Sequence, residues 1–158
     1  MTIRASIFLS AALLATAGTW GSWQSSLAEA SHIPGTKKHR IVYHFNGSDD
    51  GQHVKKASAV LTNIQNNVDV VGWENIQALE LVVHGPGLVP FLKKNITPEV
   101  RGKLDQLLAG GMKMGACQIT MKRQKLTMED IIEGLPPIPS GVVRVMELQE
   151  QGYAYVRP

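Results

Sequence analysis

Cys117 is the single cysteine of the chain, and two of its five histidines, His44 and His84, fall where the cysteine falls, at or just after the end of a short apolar run. The runs are 41–45, 76–83 and 112–117, and each reads as a β-strand. In a parallel sheet the C-terminal ends of the strands lie along one edge, and ligands bind in the crevice outside it. The three residues are therefore candidates for one site. Cys117 also stands immediately before a predicted helix over 118–125, where unpaired N–H groups and the helix dipole favour negative charge, and Lys122 and Arg123 follow about one turn later. Such surroundings favour thiolate over thiol. A thiolate is a nucleophile, and it can carry a sulfane sulfur as a persulfide. His44 and His84 would orient or deprotonate it.

The turn His84-Gly85-Pro86-Gly87 contains two glycines that permit close approach of backbone to a ligand or to a neighbouring stretch of chain. Gly85, Gly87 and Gln118 are the expected substrate contacts. A plainer reading competes at each position: a tight strand-to-helix turn for the glycines, a polar spot on a sheet edge for His44, a small buried hydrophobe for Cys117. His32, His39 and His53 lie in a polar lead-in or on a helix and are assigned no role. Met112, Met114 and Met121 with Cys117 raise the question of Cu(I), which soft sulfur ligands select. Strand alternation places Met112 and Met114 opposite Cys117, so core packing explains the methionines better. There is no zinc spacing, phosphate loop or nucleophile elbow, and no cofactor is expected.

The elements that must position these residues alternate between short apolar runs and helical periodicity, the mark of a mostly parallel sheet with crossover helices. Val54, Ala57, Val60, Leu61, Ile64 and Val68 share one face of a helix over 49–68. A short turn over 88–92 precedes a second helix that starts at Thr97-Pro98-Glu99 and stops at Gly110-Gly111. Thr127, with acids behind it, predicts a further short helix to Ile132. The prolines of 135–139 exclude helix interior and predict an extended connection or short edge strand. Ser140 caps the last helix, with Val142, Val145, Met146 and Leu148 as its expected buried stripe, and 153–156 is the final strand.

With 158 residues, 44% of them apolar, the chain is long enough for one domain with a real core. Residues 1–30 read as a cleavable signal peptide: Arg4 gives the positive start, 7–17 the apolar run, and Ala28-Glu29-Ala30 the small-x-small pattern. The run is shorter than the roughly 20 residues that span a bilayer, so no membrane association is expected once the leader is removed. Residues 31–39 form a polar lead-in and 40–158 the domain. A net charge of +3, with lysines and arginines in scattered pairs, does not describe a nucleic-acid binder. Export points to the bacterial periplasm, where a protein keeping one unpaired cysteine is unusual.

Three stretches carry a family resemblance. They are Glu80-Leu81-Val82-Val83-His84-Gly85-Pro86-Gly87-Leu88, then Gly115-Ala116-Cys117-Gln118, then Pro139-Ser140-Gly141-Val142-Val143 running on to Leu148-Gln149-Glu150-Gln151-Gly152-Tyr153-Ala154-Tyr155. In order and spacing they resemble the DsrE/DsrF-like family of sulfur-handling proteins over roughly residues 40–158. The resemblance implies a three-layer α/β/α sandwich of the YchN-like type, assembled as a homo-oligomer, a trimer or hexamer. It further implies sulfur oxidation and sulfur relay, with Cys117 as the acceptor and with donor and acceptor proteins or small sulfane-sulfur compounds as partners. The leader departs from the cytoplasmic setting of the family's best-understood members. A non-catalytic oligomeric binding module of the same fold is the alternative, and a redox sensor forming an intermolecular disulfide is a third.

Overall fold

The computed structural model of the protein describes residues 38–47 and 50–158. The proposed signal peptide and nearly all of the lead-in lie outside the described residues. Five strands, β1 (His39–Phe45), β2 (Ile76–Val83), β3 (Lys113–Cys117), β4 (Pro137–Ile138) and β5 (Ala154–Val156), form one sheet in the order β4-β3-β2-β1-β5, and every pairing is parallel. Four helices connect them: α1 (His53–Val71), α2 (Pro98–Ala109), α3 (Gln118–Gln124) and α4 (Gly141–Glu150).

Strand order decides the layers. The chain steps from β1 to β2 to β3 in one direction, and right-handed crossovers put α1 and α2 on the same face. The connection from β4 to β5 returns across the whole sheet, so its helix α4 must cover the opposite face. The face under α1 and α2 holds the large core, built on Tyr43, Leu81, Val83, Ala116, Leu61, Ile64, Leu104 and Phe91. The α4 face is thinner, with Val42, Val82, Val145 and Leu148 as its buried cluster. One helix spanning three strands leaves room beside it, an open groove of about 500 Å³ lined by Glu80, Met114, Ile138 and Arg144 among others.

Local signals explain most boundaries. Thr97 caps α2 by accepting the Val100 N–H at 3.3 Å, with Pro98 at the first helical position. The residues 85–91 wind as a 3-10 segment, Gly85–Phe91, and seat Phe91 edge-on against Phe45.

Two expectations are corrected. Residues 127–132 are not helical: the Asp130 carboxylate accepts both the N–H and the hydroxyl of Thr127, closing a turn, and Ile131 then bridges to Leu92 as an extended residue. The backbone beyond the turn pairs with 91–93 instead of continuing a helix: the Lys93 N–H donates to the Asp130 carbonyl at 2.9 Å and the Ile132 N–H to the Phe91 carbonyl at 3.2 Å. On α4, Val145 and Leu148 are buried as expected, but Val142 and Met146 are 63% and 51% exposed. The helix is rotated so that Arg144, not Met146, meets the sheet.

Candidate functional site

Alternation puts His44, His84 and Cys117 on the α4 face of the sheet, together with Tyr155 from the edge strand. His44 is level with Val82, and Val82 with Gly115, so His84 and Cys117 extend one pair beyond, onto the C-terminal rim. The rings of His44 and His84 lie edge to edge and nearly coplanar, with Nε2 facing Nε2 at 2.5 Å, and His44 Nδ1 lies 2.8 Å from the Tyr155 hydroxyl. This is a three-member hydrogen-bonded chain that can run in either direction. With the bridging proton on His44 Nε2, Tyr155 donates to Nδ1; with it on His84 Nε2, His44 Nδ1–H donates to Tyr155. Burial lowers the pKa of both histidines; for His44 the charge on its neighbour adds to this, and Arg157 lowers both further. The pair is held neutral.

Cys117 is 4% exposed, so it sits beneath the rim rather than on it. Burial pushes its thiol up, but the effect is outweighed. The polar influence of the Gly141 N–H, the N–H and hydroxyl of Thr120 and the Ile119 N–H brings its pKa below that of an ordinary thiol. These groups belong to the first turns of α3 and α4, which converge on the end of β3. Thr120, itself buried, also accepts the Gly85 N–H at 2.8 Å. The backbone of the His84-Gly85 turn thereby reaches Cys117 through one hydroxyl.

Gly141 ties the two halves of the site together. A Cβ at that position would fall 3.0 Å from the Cβ of His84, so the first residue of α4 packs against His84, and its N–H is among the groups that lower the Cys117 pKa. The cysteine and the histidine chain are neighbours across this glycine. Gly87 is buried with its Cα against the Phe45–Asn46 backbone, where a Cβ would lie 2.7 Å from the Phe45 carbonyl oxygen. The close approach its type permits is made to the chain itself. Gly85 carries the left-handed φ of 56° that turns the chain after His84. Gln118 is exposed, and with Ile119 and Pro139 it lines a cavity of about 440 Å³ beside the cysteine.

Met112 and Met114 pack in the large core, on the opposite side of the sheet from Cys117, as strand alternation predicted, and Met121 of α3 packs in the same core. Among the described residues no group of three or more His, Cys, Asp or Glu is placed to hold a metal, and no helix is long and apolar enough to cross a membrane. Sequence reading did not single out Thr120, Gly141, Tyr155, Arg157 or the pair Glu80–Arg144 for the site. The one available signal was Glu80, an acid inside an otherwise apolar strand.

Fold and site together define a small α/β domain with a parallel five-stranded sheet and a caged thiol at the end of the third strand. The family model of the DsrE/DsrF-like family matches residues 39–158, and the chain belongs to that family. Among solved structures it is similar to a protein of unknown function, MTH1491, from Methanobacterium thermoautotrophicum, with 24% identity and a TM-score of 0.62 over 77% of this chain and 100% of that one. It is also similar to the ychN protein from E. coli, with 14% identity and a TM-score of 0.57 over 76% of this chain and 99% of that one. At these identities the likeness is one of fold. No curated protein matches the chain.

Proposed function

We propose that the protein is an exported sulfur carrier in which Cys117 accepts a sulfane sulfur as a persulfide and passes it to an acceptor thiol. The observation that carries this reading is the placement of Cys117 with the His44–His84 pair on the C-terminal rim of one sheet face, where nearby N–H and O–H groups lower the pKa of the thiol. With thiosulfate as donor, the Cys117 thiolate attacks the outer sulfur; the S–S bond of the donor breaks, and sulfite leaves with the electron pair. The terminal sulfur of the persulfide then carries the negative charge. An acceptor thiolate attacks that terminal sulfur, and Cys117 leaves as the thiolate it began as. No outside oxidant is needed. The neutral histidine pair, one glycine away, offers a lone pair to the proton of an incoming thiol. Export rests on residues 1–30.

Intact mass of the mature protein after incubation with thiosulfate or polysulfide tests this directly. The expected result is a gain of about 32 Da, one sulfur, that dithiothreitol removes and that Cys117→Ser does not show. No gain in the wild-type protein would sink the carrier reading.

A second reading is a homo-oligomeric binding module without sulfur chemistry. It is favoured by the 4% exposure of Cys117 and by the apolar side chains Val142, Val143 and Met146 that α4 turns outward, at 63%, 44% and 51% exposure. Retention of a cellular sulfur phenotype by Cys117→Ser would select it. Assembly into a trimer or hexamer through that helix face is compatible with either reading.

A further inference from the structure

The hydrogen bonds that join His84, His44 and Tyr155 form one line across the rim, and its two ends differ. Tyr155 sits on the edge strand β5 and is 41% exposed, so its hydroxyl meets solvent. At the other end, His84 Nδ1 has no hydrogen-bond partner among the described residues, and it is not one of the side-chain atoms buried without one. It is open to whatever occupies the rim. Register sets that end beside the cysteine. Val82 pairs with Gly115 and Val83 with Ala116, so the next residues along, His84 and Cys117, stand one strand spacing apart, about 4.8 Å.

A histidine backed by a carboxylate takes up a proton and holds it as imidazolium. This pair is backed differently. Among the described residues neither ring is paired with an acid, and the charged groups around His44 are Arg157 and the ion pair Lys56–Asp50. What the line can do is pass a proton without storing charge. In one arrangement His84 carries its proton on Nε2 and gives it to His44 Nε2, while His44 Nδ1–H donates to the Tyr155 oxygen. In the other, His84 carries its proton on Nδ1, His44 Nε2–H donates to His84 Nε2, and Tyr155 donates to His44 Nδ1. Both arrangements are neutral. They differ by one proton taken in at His84 and one given out at Tyr155.

We propose that His84, His44 and Tyr155 are a proton relay for the thiol site, with its inlet at His84 Nδ1 and its outlet at the Tyr155 hydroxyl. Its use rests on the sulfur-carrier reading, in which an acceptor thiol arrives beside Cys117 still protonated. The S–H proton goes to His84 Nδ1, the His84 Nε2 proton to His44 Nε2, the His44 Nδ1 proton to the Tyr155 oxygen, and the Tyr155 hydroxyl proton to water. The acceptor sulfur keeps the electron pair and attacks the persulfide with it. Nothing is oxidised or reduced along the line, and the reverse passage resets it when the rim is open to water.

Long-range proton–nitrogen correlation spectra of the full protein, taken without any sulfur donor, read the tautomers. The wild type should show opposite tautomers on the two rings, one Nε2–H and one Nδ1–H; the same tautomer on both overturns the relay. Tyr155→Phe keeps the ring and removes the outlet. Because Tyr155 bonds only to His44, a matching shift of the His84 nitrogens is expected only if the line is coupled from end to end, and unmoved His84 nitrogens overturn the proposal. Single-turnover transfer from the persulfidated protein to free cysteine gives the second readout. Tyr155→Phe should be slower by roughly tenfold at about pH 7, where cysteine arrives as a thiol, and equal to wild type at about pH 9.5, above the thiol pKa of about 8.5. An equal loss at both pH values would mark Tyr155 as merely structural and overturn the relay. Failure of the wild-type protein to take up sulfur would instead sink the carrier reading, and the tautomer spectra would still decide the relay.

Discussion

His44 and His84 meet edge to edge with 4.7 Å between ring centroids and 16° between planes, their Nε2 atoms 2.5 Å apart. Two ring nitrogens that close hold one proton between them, so one ring is the Nε2–H tautomer and the other presents a lone pair. A second proton would set N–H against N–H. Burial, the mutual charge and Arg157 all oppose it.

The pair makes stability depend on pH in a definite direction. Both folded-state pKa values lie below the ordinary 6.5, so the stabilisation is fully present above that value and is lost as pH falls below it, where the unfolded chain takes up protons that the folded one resists. The urea midpoint is expected to fall between about pH 7.5 and about pH 5, and His44→Asn to shrink that fall. Equal pH dependence in the two proteins would place its origin elsewhere.

The Thr120 hydroxyl accepts the Gly85 N–H and is one of the groups that lower the Cys117 pKa. Thr120→Val keeps the volume and removes the hydroxyl. We expect a loss of about 1 kcal/mol in denaturant unfolding, because the half-buried Gly85 N–H loses its acceptor. The pH midpoint of Cys117 alkylation by iodoacetamide should rise in the same variant.

Glycines here differ in what surrounds them. At Gly87 a Cβ would lie 2.7 Å from the Phe45 carbonyl oxygen and 2.9 Å from the Asn46 carbonyl carbon, atoms that cannot yield without moving β1. Gly87→Ala is expected to lower stability by about 1–3 kcal/mol. At Gly102, inside α2, a Cβ meets nothing within 4 Å, and Gly102→Ala should stabilise by up to about 1 kcal/mol. Thermal unfolding of the two variants should shift in opposite directions.

If α4 forms a subunit interface, charges on its outward face should break it. Val142→Lys with Met146→Lys, at 63% and 51% exposure, is expected to lower the sedimenting mass to that of the monomer while circular dichroism is retained. A wild-type protein that already sediments as a monomer would end the idea of assembly through this face.

Much of the architecture was legible because it is written in local patterns. The periods of two and of three to four, the Thr97-Pro98 start and the glycine stops are properties of a few neighbouring residues, and β1, β2, β3, α1, α2 and α4 follow from them. The helix expected at 127–132 failed for a reason that is not local: the backbone of Asp130 and Ile132 pairs with Lys93 and Phe91, so the turn that begins at Thr127 does not propagate. The buried stripe of α4 was misjudged because Val142 and Met146 are apolar, and periodicity alone does not say which side of a helix a sheet will claim. There the choice was made by Glu80 and Arg144, 64 positions apart.

The amino-acid order by itself determined that a lone cysteine would close the third strand and that two histidines would close or follow the first two, because strand ends are set by neighbouring residues. The tertiary structure alone decided what meets the cysteine from beyond its own helix. Ile119 and Thr120 follow it in the chain, but Gly141 comes from α4, the partner of His44 on its far side from β5, and the anchor of α4 from β2. Those groups become neighbours only when the return crossover carries α4 back over the sheet, and hydrogen bonds are short-ranged, so no pattern along the chain could reveal them.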